Sequence, residues 1–154
     1  MDILLVEDNA GDVRLLQEAF QSATKPTTLH VVSDGVKAMA FLRNEGAYST
    51  APRPHLILLD LNLPKMDGRE VLTKIKNDST LCAIPTIILT ASDNQRDLQY
   101  CWENRANSYI IKPGDLDAFN HLAQVVNNFW FTLTSFPALS SKSRPLILEG
   151  LDGG

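Results

Sequence analysis

Three acids, an alcohol and an amine stand out because each follows directly on a short apolar run. Ile3–Val6 leads into Glu7-Asp8, Leu56–Leu59 into Asp60, Thr86–Leu89 into Thr90, and Tyr109–Ile111 into Lys112-Pro113. If those runs are parallel strands, their carboxyl ends share one edge of a sheet, where open α/β sheets collect their functional groups. Three carboxylates brought together there repel. At ~4 Å and an effective dielectric of about 20, each like-charged pair costs roughly 4 kcal/mol. Lys112 offers one compensating charge, and a divalent cation is the natural second. An all-oxygen donor set suits Mg²⁺, which keeps several waters and takes one or two carboxylates. A cation on carboxylates, with one carboxylate free to attack and an ammonium beside it, is an arrangement for phosphoryl transfer. Asp60 is then the nucleophile, and the cation and Lys112 neutralise charge on the equatorial oxygens. No zinc-type spacing competes; His30, His55 and His121 are isolated and read as structural or solvent-facing.

The elements that must position these groups alternate strictly. The four runs above, with Leu29–Val32, make five strands, most of them continuously apolar as strands buried on both faces are. Helical spacing fills the gaps: Val13, Leu16, Phe20 and Ala23; Gly35, Ala38, Met39 and Leu42; Gly68, Val71, Leu72 and Ile75. A fourth stripe holds Leu98, Cys101 and Trp102, with Arg105 at the solvent edge. The last holds Leu116, Phe119, Ala123, Val126 and Trp130. Strict β-α repetition gives right-handed crossovers and a parallel sheet covered on both faces. Five strands in this length predict the flavodoxin-like doubly wound sheet, order 2-1-3-4-5. Residues 44–54, with Gly46, Pro52 and Pro54, read as a long loop. One domain over 1–136 is expected, with residues 137–154, rich in Ser, Pro and Gly, as a mobile tail.

Bulk composition narrows the function. A net charge of −4 gives no reason to expect nucleic-acid binding, which needs a basic face. No apolar run approaches the ~18 residues of a membrane span, and the N-terminus lacks a basic start and a long apolar stretch. Cys82 and Cys101 build no disulfide framework and read as buried small hydrophobes, so a cytoplasmic location is expected.

The segments L-L-V-E-D-N at 4–9, L-I-L-L-D-L-N-L-P-K-M-D-G at 56–68, I-L-T-A-S at 88–92 and Y-I-I-K-P at 109–113 resemble the receiver domain of two-component response regulators. The resemblance spans roughly residues 2–133 and places each motif at a strand end. It implies Asp60 as phosphoacceptor, and Mg²⁺ held by Asp8, Asp60 and the backbone carbonyl of Asn62, with Glu7 acting through water. It further implies that Thr90 and Lys112 pair with phosphoryl oxygens, that Tyr109 is a rotating aromatic switch, and that Lys112-Pro113 is a cis peptide. Asn62 and Ser92 match positions that tune dephosphorylation. Residues 51–72, the long loop before them, Phe129-Trp130 and Pro137 are similar to the small regulators partnered with cyanobacterial and bacterial phytochromes, which implies a bilin-photoreceptor sensor histidine kinase as donor.

The last helix carries a second apolar set, Leu122, Val125 and Phe129, beyond its core stripe. A one-sided surface helix needs only one, so a homodimer through the last helix and its neighbours is expected, unless the loop or tail covers this face. A phosphohydrolase with an aspartyl-phosphate intermediate is the rival reading, but its nucleophile sits at the first strand with a second aspartate two residues on; here Asn62 follows Asp60. A receiver-like scaffold without phosphorylation is the other, but degenerate members lose the acceptor, the acidic pair or the lysine, all kept here. An 18-residue tail is too short for an effector domain. Output is therefore expected through the face of the fourth helix, fifth strand and fifth helix, toward a downstream protein the residues do not identify.

Overall fold

Helix starts are written into the chain as five short amide or acid caps. Asn9, Asp34, Asp67, Asn94 and Asp115 each have extended backbone, and each side chain accepts the N–H of a residue two or three further on. Such a cap satisfies one of the orphan donors of the first turn and is worth about 1 kcal/mol. In this computed structural model, which describes residues 1–133, the helices so started are α1 (Ala10–Gln21), α2 (Gly35–Leu42), α3 (Gly68–Asn77), α4 (Gln95–Glu103) and α5 (Leu116–Val126). They alternate with β1 (Asp2–Val6), β2 (Thr28–Val32), β3 (Leu56–Leu59), β4 (Thr86–Thr90) and β5 (Ser108–Ile111). The domain limit at 136 and the tail at 137–154 lie outside the described residues.

The strands pair in parallel in the order β2-β1-β3-β4-β5, the doubly wound arrangement expected from the sequence. Alternate strand residues face opposite sides. Ile3, Leu5, Leu56 and Leu58 pack on Leu16 and Phe20 of α1 and on Phe119 and Ala123 of α5. Leu4, Val6, Ile57 and Leu59 pack on α2, α3 and α4 through Met39, Phe41, Leu72, Ile75 and Cys101. Register then positions the strand ends. Val6 stands opposite Leu59, so Glu7 and Asp60 leave the sheet side by side, tied by the Asp60 N–H to the Val6 carbonyl at 3.1 Å. On the other side the Lys112 N–H donates to the Thr90 carbonyl at 2.8 Å.

Several expectations need correction. β1, β3 and β4 are buried almost throughout, but β2 and β5 are half exposed, because an edge strand has a neighbour on one side only. Trp102 does not join the core stripe of α4 and is 60% exposed; Cys101 fills that space, with Tyr100 packed beside it. Leu116, in the first turn of α5, is exposed. The loop over 44–54 is not structureless: Gly46–Tyr48 form a 3₁₀ turn, and the Asn44 amide donates to the Tyr48 and Ala51 carbonyls. The Lys112-Pro113 bond is trans, as are all peptide bonds among the described residues; trans is the form an X-Pro bond favours by about 0.5–1 kcal/mol.

Candidate functional site

The carboxyl edge of the sheet brings the predicted groups together. Glu7, Asp8 and Asp60 each offer an oxygen, and these three atoms lie within 4.8 Å of one another. Glu7 and Asp60 are buried and Asp8 faces solvent. From the opposite side Lys112, its side chain only 12% exposed, sends its Nζ to Glu7, to Asp60 Oδ2 at 3.2 Å and to Asp12 Oδ2 at 2.9 Å. Thr90 is fully buried at the end of β4, and its hydroxyl lowers the pKa of the Asp60 carboxyl.

Burial and neighbouring charges shift the carboxyls and the amine in different directions. Burial pushes the Glu7 carboxyl up to about 8, helped by a hydrogen bond in which its proton is donated to Asp60. Burial alone would raise Asp60 too. That bond from Glu7, the Lys112 charge and the Thr90 hydroxyl outweigh it and hold Asp60 below the usual carboxylate range. Burial works against the Lys112 charge, but its bonds to Glu7 and Asp12 and the nearby Asp60 keep it above the ordinary lysine value. A divalent cation would offset the same repulsion among the carboxylates. Three clustered carboxyl oxygens are a hard donor set and fit such an ion.

Backbone packing fixes Asp60. Gly68 comes so close that a Cβ there would lie 2.0 Å from the Asp60 carbonyl oxygen. The Gly68 and Leu63 N–H groups both donate to the Leu61 carbonyl, folding the segment over the aspartate. Asn62 follows on the exposed side, its N–H 3.4 Å from Asp60 Oδ1. Tyr109 is half-buried, with its hydroxyl donating to the Ser92 carbonyl at 2.8 Å. The histidines stay away from the cluster: His30 pairs with Asp2, His55 accepts the Asp2 N–H, and His121 is exposed.

Two features escaped sequence reasoning. Asp12 joins the cluster from α1; the signal was an acid three residues after the Asn9 cap, ordinarily a mere helix-start preference. The second is a clasp in which Arg69 of α3 and the Ser92 hydroxyl both hold Asp97 of α4, at 2.8 and 2.6 Å. Nothing in the spacing of 69, 92 and 97 points to it.

This sheet and this cluster define a receiver domain. The family model described as response regulator receiver domain matches residues 3–124, and the chain belongs to that family: it is a phosphoaccepting switch of two-component signal transduction. Over 136 residues it is 45% identical to response regulator Rcp1 of Synechocystis sp., covering 88% of this chain and 92% of Rcp1. Among solved structures it is similar to the phosphorylated cyanobacterial phytochrome response regulator RcpA, with 46% identity, a TM-score of 0.84, and 89% and 98% of the two chains covered. It is also similar to the Mn²⁺-bound form of Rcp1, with 44% identity, a TM-score of 0.83, and 89% and 99% covered. Receiver domains bind a divalent metal, and the Glu7–Asp8–Asp60 cluster is consistent with one.

Proposed function

We propose that Asp60 is the residue that accepts the phosphoryl group. One observation carries the reading: the Lys112 ammonium rests on Asp60 Oδ2, at 3.2 Å, within the same cluster that offers oxygens from Glu7 and Asp8. In the transfer an Asp60 oxygen forms the new P–O bond as the bond from phosphorus to the donor's leaving atom breaks, the electron pair departing with that atom. Lys112 and Thr90 then each pair with a phosphoryl oxygen. Mg²⁺ is the cation proposed, held by Asp8, Asp60 and the Asn62 backbone carbonyl, with Glu7 through water. When bound, it neutralises charge on the phosphoryl oxygens. Hydrolysis of the acyl phosphate returns Asp60 to its starting state, so the chain acts on itself and turns over no separate substrate.

The signal leaves through Tyr109. Its hydroxyl now ties β5 to the segment after β4; Thr90 drawn toward a phosphoryl oxygen vacates space for the ring, and the α4–β5–α5 face changes shape for a downstream protein. The donor proposed is a sensor histidine kinase of phytochrome type, supported by the 46% identity to RcpA, a phytochrome response regulator. A homodimer through α5 and β5, formed in the cytoplasm, completes the reading. No helix among the described residues is long and apolar enough to cross a membrane.

Mass spectrometry after incubation with acetyl phosphate and Mg²⁺ tests the core of this. The chain should gain one phosphoryl group, and Asp60→Asn should gain none. Equal labelling of Asp60→Asn, or an unlabelled wild type, would overturn the assignment.

A further inference from the structure

We infer that Asp12 is a positioning residue for Lys112, giving the ammonium an anchor off the acidic cluster so that a cation and a phosphoryl group can take Glu7 and Asp60. The inference rests on the phosphoacceptor reading of Asp60 and deepens it. An ammonium has three hydrogens to donate, and here it has three carboxyl partners, Glu7, Asp12 and Asp60. Two of these belong to the group of oxygens close enough to share a metal ion; Asp12 does not. A cation arriving at Glu7, Asp8 and Asp60 therefore competes with the ammonium for two of its partners. Asp12 is the partner that remains.

Its position is well determined. Asp12 Oδ2 approaches Lys112 Nζ to 2.9 Å, nearer than Asp60 Oδ2 at 3.2 Å. The backbone beneath it is pinned by the α1 cap: the Asp12 N–H donates to Asn9 Oδ1 at 3.0 Å, and the Val13 N–H to the Asn9 carbonyl at 3.0 Å. The helix itself is locked to the sheet by Leu16, Ala19 and Phe20. A carboxylate on a pinned backbone gives that lysine a partner outside the metal ligands. Once phosphate is on Asp60, the same contact limits the directions in which the ammonium can reach it.

Without Asp12, the ammonium turns its full attraction on Glu7 and Asp60 and competes with the cation. In full-length chain without phosphodonor, Asp12→Asn should weaken Mg²⁺ binding by about 3–10-fold in isothermal titration calorimetry. Removal of a nearby negative charge would also weaken Mg²⁺ binding with no part played by the lysine, so the measurement is repeated in a Lys112→Met background. There the Asp12→Asn effect should shrink to under twofold, the signature of a residue that acts through its neighbour. The acyl-phosphate lifetime of Asp12→Asn should also differ from wild type by at least threefold. Mg²⁺ affinity within twofold of wild type in Asp12→Asn, or an equal loss in both backgrounds, overturns the inference. Those results leave the parent reading intact, because acetyl phosphate labelling of wild type against Asp60→Asn decides that separately.

Discussion

At the scale of single residues, Gly68 shows how closely the site is built onto its backbone. An added Cβ would stand 2.0 Å from the Asp60 carbonyl oxygen and 2.6 Å from the Leu61 Cα, both main-chain atoms that no rotamer change can clear. A Cβ at Gly114, just after the Lys112-Pro113 pair, would meet nothing within 4 Å. The two positions make a matched test. Gly68→Ala should lower stability in urea denaturation by about 1–3 kcal/mol, the usual cost of overpacking, whereas Gly114→Ala should stay within about 0.5 kcal/mol of wild type. Equal midpoints for the two variants would mean that the segment over Asp60 yields more easily than its contacts imply. The same scale explains why Asp12 was not legible. An acid in the first turn of a helix favours the helix dipole wherever it points, so its residue type carries no sign that a lysine 100 positions away will meet it. Asp8, Asp60, Thr90 and Lys112 were legible for the opposite reason: each closes an apolar run, and the sheet decides where strand ends go.

At the scale of elements, the clasp on Asp97 joins α3 to α4 and to the segment leaving β4. Arg69 donates to Asp97 Oδ1 and Ser92 to Asp97 Oδ2, while the Ser92 carbonyl accepts from Tyr109 of β5. Beneath it, the Thr73 and Tyr100 hydroxyls meet at 2.6 Å across the same pair of helices. Hydrogen bonds from Arg69 first and Ser92 second hold the Asp97 carboxyl below the usual range, with burial opposing them. The sign follows from linkage: a carboxyl whose folded value is depressed adds stability above its unfolded value, about 4, and loses that contribution as pH falls through the folded value. Asp97→Asn should therefore be less stable than wild type near pH 7 by about 1.5 kcal/mol, the scale of a charge-assisted hydrogen bond. The gap should close as the pH is taken below about 4, read from urea denaturation at each pH. A gap that persists unchanged into acid would assign the clasp's value to packing and remove the charge from the account.

At the scale of the whole molecule, the sequence told which segments are strands and in what order they pair, because continuous apolar runs and right-handed crossovers leave few alternatives. It did not tell which faces stay wet. That depends on which strands end up at the sheet edges and on how each helix is rotated, so β2, β5 and Trp102 came out more exposed than their apolar sequences suggested. The second apolar set on α5 is where this matters most. Leu122 packs partly against the core, but Val125 and Phe129 remain 49% and 53% exposed, next to Ile111 of β5 at 52%. Past Val126 the helix widens into a π turn over Asn127–Leu133. The buried Asn127 side chain is anchored there to Lys25 and Thr27, so the end that presents Phe129 is held to the body of the domain. Ile111 and Val125 line one groove, and Val125 and Phe129 line the next; soluble monomers rarely leave such an apolar face open, and a two-fold pairing of α5 and β5 would cover it on both copies at once. Sedimentation at tens of micromolar should then give a dimer for wild type and a monomer for the Val125→Glu, Phe129→Glu double variant. Both substitutions replace exposed side chains, so the far-UV circular dichroism and the urea midpoint should stay close to wild type. A wild type that sediments as a monomer over that range would remove the dimer and leave this face to a different partner.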